Sequence, residues 1–329
     1  GAKVLGGQTA VEVGLDPKQQ QVLDLCLSGA NVFFTGMGGT GKSLVMKKIV
    51  EKLRAKFEHV DRVVTVAPTG VSAINVGGQT LHSFSGCGVP KSINEFERVQ
   101  SRANDWTFIK ALVVDEVSMF DGAFLDWLDV HVRILRGKRH SEKPFGGIQL
   151  IFAGDFCQLP AIKDSKSPSI LHKCQRKPHN ANAPNKDMPL QIQELTSFVF
   201  QSACFKEAKF RCVELTTVFR QVDRPFIEML SKVRRGDVDD QVLRFFGKLA
   251  RPLKIDDGIK PTILYCKRAN VDENNAEELR LLPGRKHCYK AIDTLTYYPE
   301  SSRYEQERLR NCTLFKEDSQ VAQNAILKE

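Results

Sequence analysis

A chain of 329 residues, 42% of them hydrophobic, is long enough for two domains and a sizeable core. No apolar run approaches the ~20 residues of a membrane span, and the polar first residues lack the apolar centre of a secretory signal, so neither a membrane helix nor a secreted protein is expected. The net charge of +9 favours a polyanionic partner through counterion release, and the 9 cysteines, an odd number scattered from Cys26 to Cys312, read as reduced intracellular thiols.

In chain order, residues 15–29 place Val22, Leu23, Leu25, Cys26 and Leu27 at a spacing that predicts a helix. An apolar β-type run, NVFFT at 31–35, leads into GMGGTGKS, Gly36 to Ser43, and then into a helical pattern at 44–57. The octapeptide fills every fixed position of the P-loop pattern in its proper strand–loop–helix context. Gly36, Gly38, Gly39 and Gly41 let the backbone bend, so that N–H groups around Thr40 converge on a phosphate chain. The helix that follows adds its positive end. Lys42 is expected to reach the β and γ phosphates, and the Ser43 hydroxyl to hold Mg²⁺.

Residues 63–74 predict a strand that ends in Ala67-Pro68-Thr69-Gly70, and a glycine turn opens GGQTLHSF at 77–84. Residues 85–107 are polar and mixed, and read as an insertion. At 111–119, ALVVDEVSM is an apolar strand carrying Asp115 and Glu116. Downstream of a P-loop this pair fits an acid that holds Mg²⁺ through water and a second acid that polarises the attacking water. Another buried strand, 148–153, ends in GDFCQLP, where Gln158 is a candidate for a hydrogen bond to a γ-phosphate or its water; as an isolated feature it reads better as a turn after a strand. Alternating strands and helices with apolar strands throughout predict an α/β fold whose parallel sheet is covered on both faces.

The Pro-rich stretch 163–193 reads as a surface excursion. Within it HKCQRKPH (172–179) lacks a second pair of ligands for zinc, and Asn185-Lys186-Asp187 lacks the rest of a guanine-reading pattern. The basic run 133–143 reads as a solvated loop. Residues 212–221 and 261–266 read as strands, 226–236 and 242–250 as helices. Arg220 is a candidate transition-state cation or a surface arginine. Gln19 has an amide suited to an adenine edge, or is simply polar on a surface helix.

Taken together, LDPKQ, FFTGMGGTGKS, APTGVSA, GGQTLHSF, LVVDEVSM, PFGGIQLIFAGDFCQLP and VFRQ resemble, in order, the PIF (petite integration frequency) family of 5′-to-3′ DNA helicases, in the superfamily of RecD. SMFDGAFLDWLDVHVRIL resembles the family's helix after the DE motif, and PTILYCKRANVDENNAEELRLLPG the start of its second motor lobe. The resemblance implies a P-loop RecA-like motor lobe at 1–215, with a small wedge inserted at about 85–107, and an incomplete second RecA-like lobe at 216–329. It implies that Gln19 contacts adenine and that Lys42, Ser43, Asp115, Glu116, Gln158 and Arg220 surround ATP and Mg²⁺. Thr69, Gly70, His82 and Phe84 fall on its single-stranded DNA path, with Phe84 and Trp106 as candidate rings for base stacking.

The family's later motifs, including a final arginine, have no counterpart here, so the chain is expected to be part of a longer helicase. A monomer acting on tailed or structured DNA in nucleus or mitochondrion, in repair, recombination or telomere maintenance, follows from the same resemblance. The competing readings are another P-loop ATPase and a fragment that binds ATP and DNA without unwinding.

Overall fold

The computed structural model describes residues 14–90, 93–137, 142–161, 198–251, 261–284, 286–290 and 324–328. The leader, the Pro-rich stretch, HKCQRKPH and Asn185-Lys186-Asp187 lie outside the described residues. By internal contacts the chain forms two compact units, Gly1–Ala250 and Arg251–Glu329.

The first unit is built on a six-stranded parallel sheet. Its strands are β1 (Val32–Gly36), β2 (Val63–Ala67), β3 (Gln79–Thr80), β4 (Ala111–Val114), β5 (Gln149–Ala153) and β6 (Arg211–Leu215), in the order β3-β2-β4-β5-β1-β6. Side chains alternate across the sheet. Val32, Phe34, Val63, Ala67, Val113 and Ile151 pack on one face with α1 (Pro17–Leu27) and α2 (Lys42–Phe57). Phe33, Val66, Leu112, Val114, Leu150 and Phe152 pack on the other, against α4 (Leu81–Ser85), α5 (Ala103–Phe108), α6 (Gly122–Arg136) and α7 (Ala203–Glu207). Helix α3 (Gly70–Asn75) follows β2. Both faces are buried, which is why the central strands are apolar without interruption.

Several expectations need correction here. Residues 85–107, read as a polar and mixed insertion, are in part apolar and packed: Cys87 after α4, Phe96 and Val99 in the 3-10 segment Ile93–Arg102, and Trp106 in α5 join the core. The basic run at 133–143 begins inside α6. There Arg133 pairs with Asp129 at 2.6 Å and Glu207 at 2.7 Å. Arg136 donates to the carbonyls of Gly146 (2.8 Å), Trp106 (2.7 Å), Thr107 and Ile109 (both 3.2 Å). Both arginines are structural: Arg133 joins α6 to Glu207 of α7, and Arg136 supplies donors to backbone carbonyls at the end of α5 and at 144–147. The strand expected over 212–221 stops at Leu215, and Thr216 to Gln221 form a loop.

Helices α8 (Arg224–Arg235) and α9 (Asp240–Gly247), assigned by the sequence to the second lobe, lie in the first unit. In the second unit the described residues form α10 (Arg268–Leu281) and an antiparallel pair, β7 (Lys286–Lys290) with β8 (Asn324–Lys328). Residues 261–266, expected as a strand, form none among the described residues.

Candidate nucleotide site

The site is built on the C-terminal ends of β1, β4 and β5, where ligands collect in open parallel sheets. β1 is buried and delivers the chain into a tight loop, in which Thr40 donates its hydroxyl to Met37 O at 2.9 Å. Gly41, with φ +80°, caps α2 without any side-chain hydrogen bond. The first N–H groups of α2 are therefore left for an anion.

Two of the loop glycines are required for more than bending. A Cβ at Gly39 (φ +89°) would lie 2.6 Å from Arg220 Cβ, and one at Gly41 would lie 2.6 Å from Gln19 Nε2. The segment bearing Arg220 and the helix bearing Gln19 thus close on the loop from either side. Phe219 N donates to Gly39 O at 2.8 Å, which fixes the first of these approaches. Arg220 is exposed there. Gly36 is buried and Gly38 half-buried, and Ser43 is exposed on the first turn of α2.

Lys42 Nζ donates to Gly36 O at 2.6 Å and Met37 O at 3.3 Å. Burial lowers its pKa, against the carboxylates of Glu116, Asp155 and Asp115, which raise it. Lys42 therefore shares a field with three acids from two segments, Asp115-Glu116 and Asp155, and with a second cation, Arg234. Asp115 is 7% exposed, and burial pushes its carboxyl up to about 6, with the N–H of Glu116 at 2.9 Å pulling the other way. Glu116 occupies the left-handed region at φ 47° and ψ 46°, a strained backbone for a residue with a Cβ. Gly154 keeps β5 against this corner, since a Cβ there would meet Val117 N at 2.8 Å.

After Gly154 comes Asp155, fully buried, which sequence reasoning passed over in favour of Gln158. Gln158 is exposed and donates its Nε2 to Asp155 Oδ2 at 2.8 Å. Arg234, near the end of α8, grips the same carboxylate: Nε to Oδ2 at 2.7 Å and Nη2 to Oδ1 at 2.9 Å. Burial works to raise the Asp155 pKa, but the hydrogen bonds from Arg234 and Gln158 outweigh it and hold the carboxyl below its usual range. Nothing in the α8 sequence singles out Arg234 from Arg224 or Arg235.

Gln19 is 1% exposed, which corrects the surface-helix alternative. Its Oε1 accepts from Asp16 N at 3.0 Å, while Asp16 Oδ1 accepts from Gln19 N at 2.8 Å, a reciprocal capping box. Its Nε2 donates to Thr40 O at 3.1 Å and so ties α1 to the phosphate loop.

The candidate DNA residues divide. Thr69 and Gly70 are exposed at the start of α3, with Thr69 accepting from Ser72 N at 3.2 Å. His82 is half-buried against the Phe124 ring, 4.6 Å away, and burial lowers its pKa. Phe84 and Trp106 are corrected outright. They are 2% and 0% exposed, with centroids 4.7 Å apart, and serve the core instead of offering a face to a base.

Ser43 and Asp115 supply hard oxygen donors of the kind Mg²⁺ takes, and the buried Asp115 carboxyl is a charge that a cation would stabilise. Among the described residues no group of three or more His, Cys, Asp or Glu could form an all-protein metal cage.

A parallel sheet with a glycine loop before α2, and an acidic pair after β4, defines a RecA-like lobe of the P-loop nucleotide-binding class. The sequence profile described as PIF1-like helicase matches residues 14–180. The chain belongs to the PIF1-like helicase family. It is 39% identical over 294 residues to the ATP-dependent DNA helicase PIF1 of Saccharomyces cerevisiae, covering 88% of this chain and 31% of that protein. It is 33% identical over 315 residues to the ATP-dependent DNA helicase RRM3 of the same species, covering 94% and 40%. The crystal structure of Pif1 helicase from Candida albicans superposes with a TM-score of 0.73 at 34% identity, over 96% of this chain and 64% of that one. Bacteroides Pif1 in complex with ADP-AlF3 and ssDNA superposes at 0.64 and 27% identity, over 86% and 61%. The chain thus spans about a third of the length of the curated relatives it matches.

Proposed function

We propose that this chain is the nucleotide-binding part of an ATP-dependent 5′-to-3′ DNA helicase, in which ATP hydrolysis drives translocation along single-stranded DNA and duplex unwinding. The observation that carries the reading is the convergence of Lys42, Asp115, Glu116 and Asp155 beside an uncapped helix N-terminus. Relatives named as ATP-dependent DNA helicases, and a Bacteroides structure holding a nucleotide analogue with single-stranded DNA, support it.

In this mechanism the N–H groups of the loop and of the start of α2 take the β and γ phosphates, and Lys42 neutralises their charge. Ser43 and Asp115 would hold Mg²⁺, which would supply charge neutralisation at the phosphates. Glu116 takes the proton of the attacking water, helped by Gln158, and Arg220 meets charge on the transferring group. Gln19 reaches adenine by exchanging its bond to Thr40 O. Thr69, Gly70 and His82 line the DNA path, residues 85–107 act as the wedge, and the second lobe begins beyond Ala250. We place the protein as a monomer working on tailed or structured DNA of nucleus or mitochondrion. Among the described residues no helix is long and apolar enough to cross a membrane.

The test is phosphate release with and without single-stranded DNA, on the chain and on Lys42→Ala. DNA-stimulated release abolished by the substitution is expected, and release indifferent to Lys42 would remove the assignment. The small share of its relatives covered by the chain favours one alternative, a part that binds ATP and DNA but does not unwind. A strand-displacement assay separates the two.

A further inference from the structure

We propose that Arg234 is a positioning residue: through Asp155 it turns Gln158 so that the amide carbonyl, and not the NH₂, faces the nucleotide. The inference rests on the reading above that Gln158 works beside the γ-phosphate.

The geometry leaves Gln158 little choice. Asp155 is fully buried and both its oxygens are taken twice. Oδ1 accepts from Arg234 Nη2 at 2.9 Å and Cys157 N at 3.1 Å. Oδ2 accepts from Arg234 Nε at 2.7 Å and Gln158 Nε2 at 2.8 Å. A carboxylate has about four such positions, so the group is saturated. A carboxylate can receive only donors, which fixes the Gln158 amide with its nitrogen inward and its Oε1 outward. An outward carbonyl accepts. It suits the hydrogen of an attacking water and is repelled by an anionic phosphate oxygen. Gln158 accordingly orients water, and does not bind the γ-phosphate.

Arg234 makes the arrangement possible. Without its fork a buried carboxylate would face only a backbone N–H and an amide, and would lose the charge that fixes the amide. A lysine cannot copy two parallel bonds. The pair also lies within the nucleotide field, since Asp155 and Arg234 both act on the Lys42 charge. Arg234 sits in the last turn of α8, and Arg220 precedes that helix with its Cβ against Gly39. α8 and the segment leading into it thus link the phosphate loop to the water-orienting residue.

The test compares wild type with Arg234→Gln, Arg234→Lys and Gln158→Ala, and with the Arg234→Gln/Gln158→Ala double variant. It reads steady-state turnover and the affinity for ADP alone and for ADP with aluminium fluoride. Arg234→Gln should leave KM and ADP affinity within about twofold while kcat and the fluoride-complex affinity fall roughly ten- to hundredfold, the scale of a misplaced reacting group. Arg234→Lys should stay low. The double variant should lose no more than Gln158→Ala, because both changes remove one interaction. Should Arg234→Gln fail to fold around its bared carboxylate, the neutral pair Asp155→Asn/Arg234→Gln provides the same reading. Wild-type kcat and fluoride-complex affinity in Arg234→Gln or in the neutral pair would overturn the proposal alone, as would losses that add to Gln158→Ala. A wild-type chain that binds neither nucleotide would overturn the site reading and this proposal with it.

Discussion

Lys42 and Glu116 carry opposite halves of the chemistry, and their substitutions should separate. Lys42→Ala removes the cation that meets the phosphates, so a fluorescent nucleotide should no longer bind. Glu116→Gln keeps shape and backbone, so binding should persist while phosphate release stops. Phe84 belongs to a different experiment. As a core ring packed on Trp106, Phe84→Ala should cost about 3–5 kcal/mol in denaturant unfolding and leave no selective DNA defect. Asp155 predicts a pH effect with a definite sign. Its folded pKa is depressed, so its contribution is present above the unfolded value of about 4 and is lost as pH falls through the folded one. Asp155→Asn should therefore flatten the acid limb of the unfolding midpoint against pH. The residues legible in the sequence were those with a spacing rule: the P-loop set and the Asp115-Glu116 pair. Arg234 and Asp155 were not, since their meeting across 79 positions has no local trace. Phe84 misled because a ring beside polar neighbours looks available until α5 and α6 are seen to cover it.

Elements were read well where an apolar run met a glycine boundary, as at β1 and β5, or an acidic pair, as at β4. They were read poorly where regular periodicity fails. The 3-10 segment Ile93–Arg102 buries Phe96 and Val99, two apolar positions among mostly charged and polar residues, too few to mark an element. Residues 261–266 have strand composition but no partner among the described residues, and a strand is defined by its partner. The end of α6 offers a test at this scale. Arg136 serves carbonyls from α5, from the following turn and from Gly146, so its loss strands several acceptors together. Arg136→Ala should destabilise by about 1–3 kcal/mol for each acceptor left buried without a partner. Chemical denaturation at fixed pH, set beside the exposed Arg235→Ala, checks it.

For the molecule as a whole, the surplus of positive charge should appear in DNA binding. Single-strand affinity should fall linearly in log–log form with salt, by about 0.7 for each phosphate neutralised. A flat dependence measured by fluorescence anisotropy between low and moderate salt would contradict a DNA role. Because the chain covers 31% of its yeast PIF1 relative, we expect weak strand displacement from it and stronger displacement from a chain of the relative's length.

The backbone of Glu116 carries one more consequence. A side-chain-bearing residue held at φ 47° and ψ 46° stores on the order of 1–3 kcal/mol that glycine would not. Glu116→Gly should therefore melt higher than the native protein while turning over nothing. A selection for thermal robustness alone would discard the very residue on which hydrolysis depends, so durability and catalysis pull this position in opposite directions.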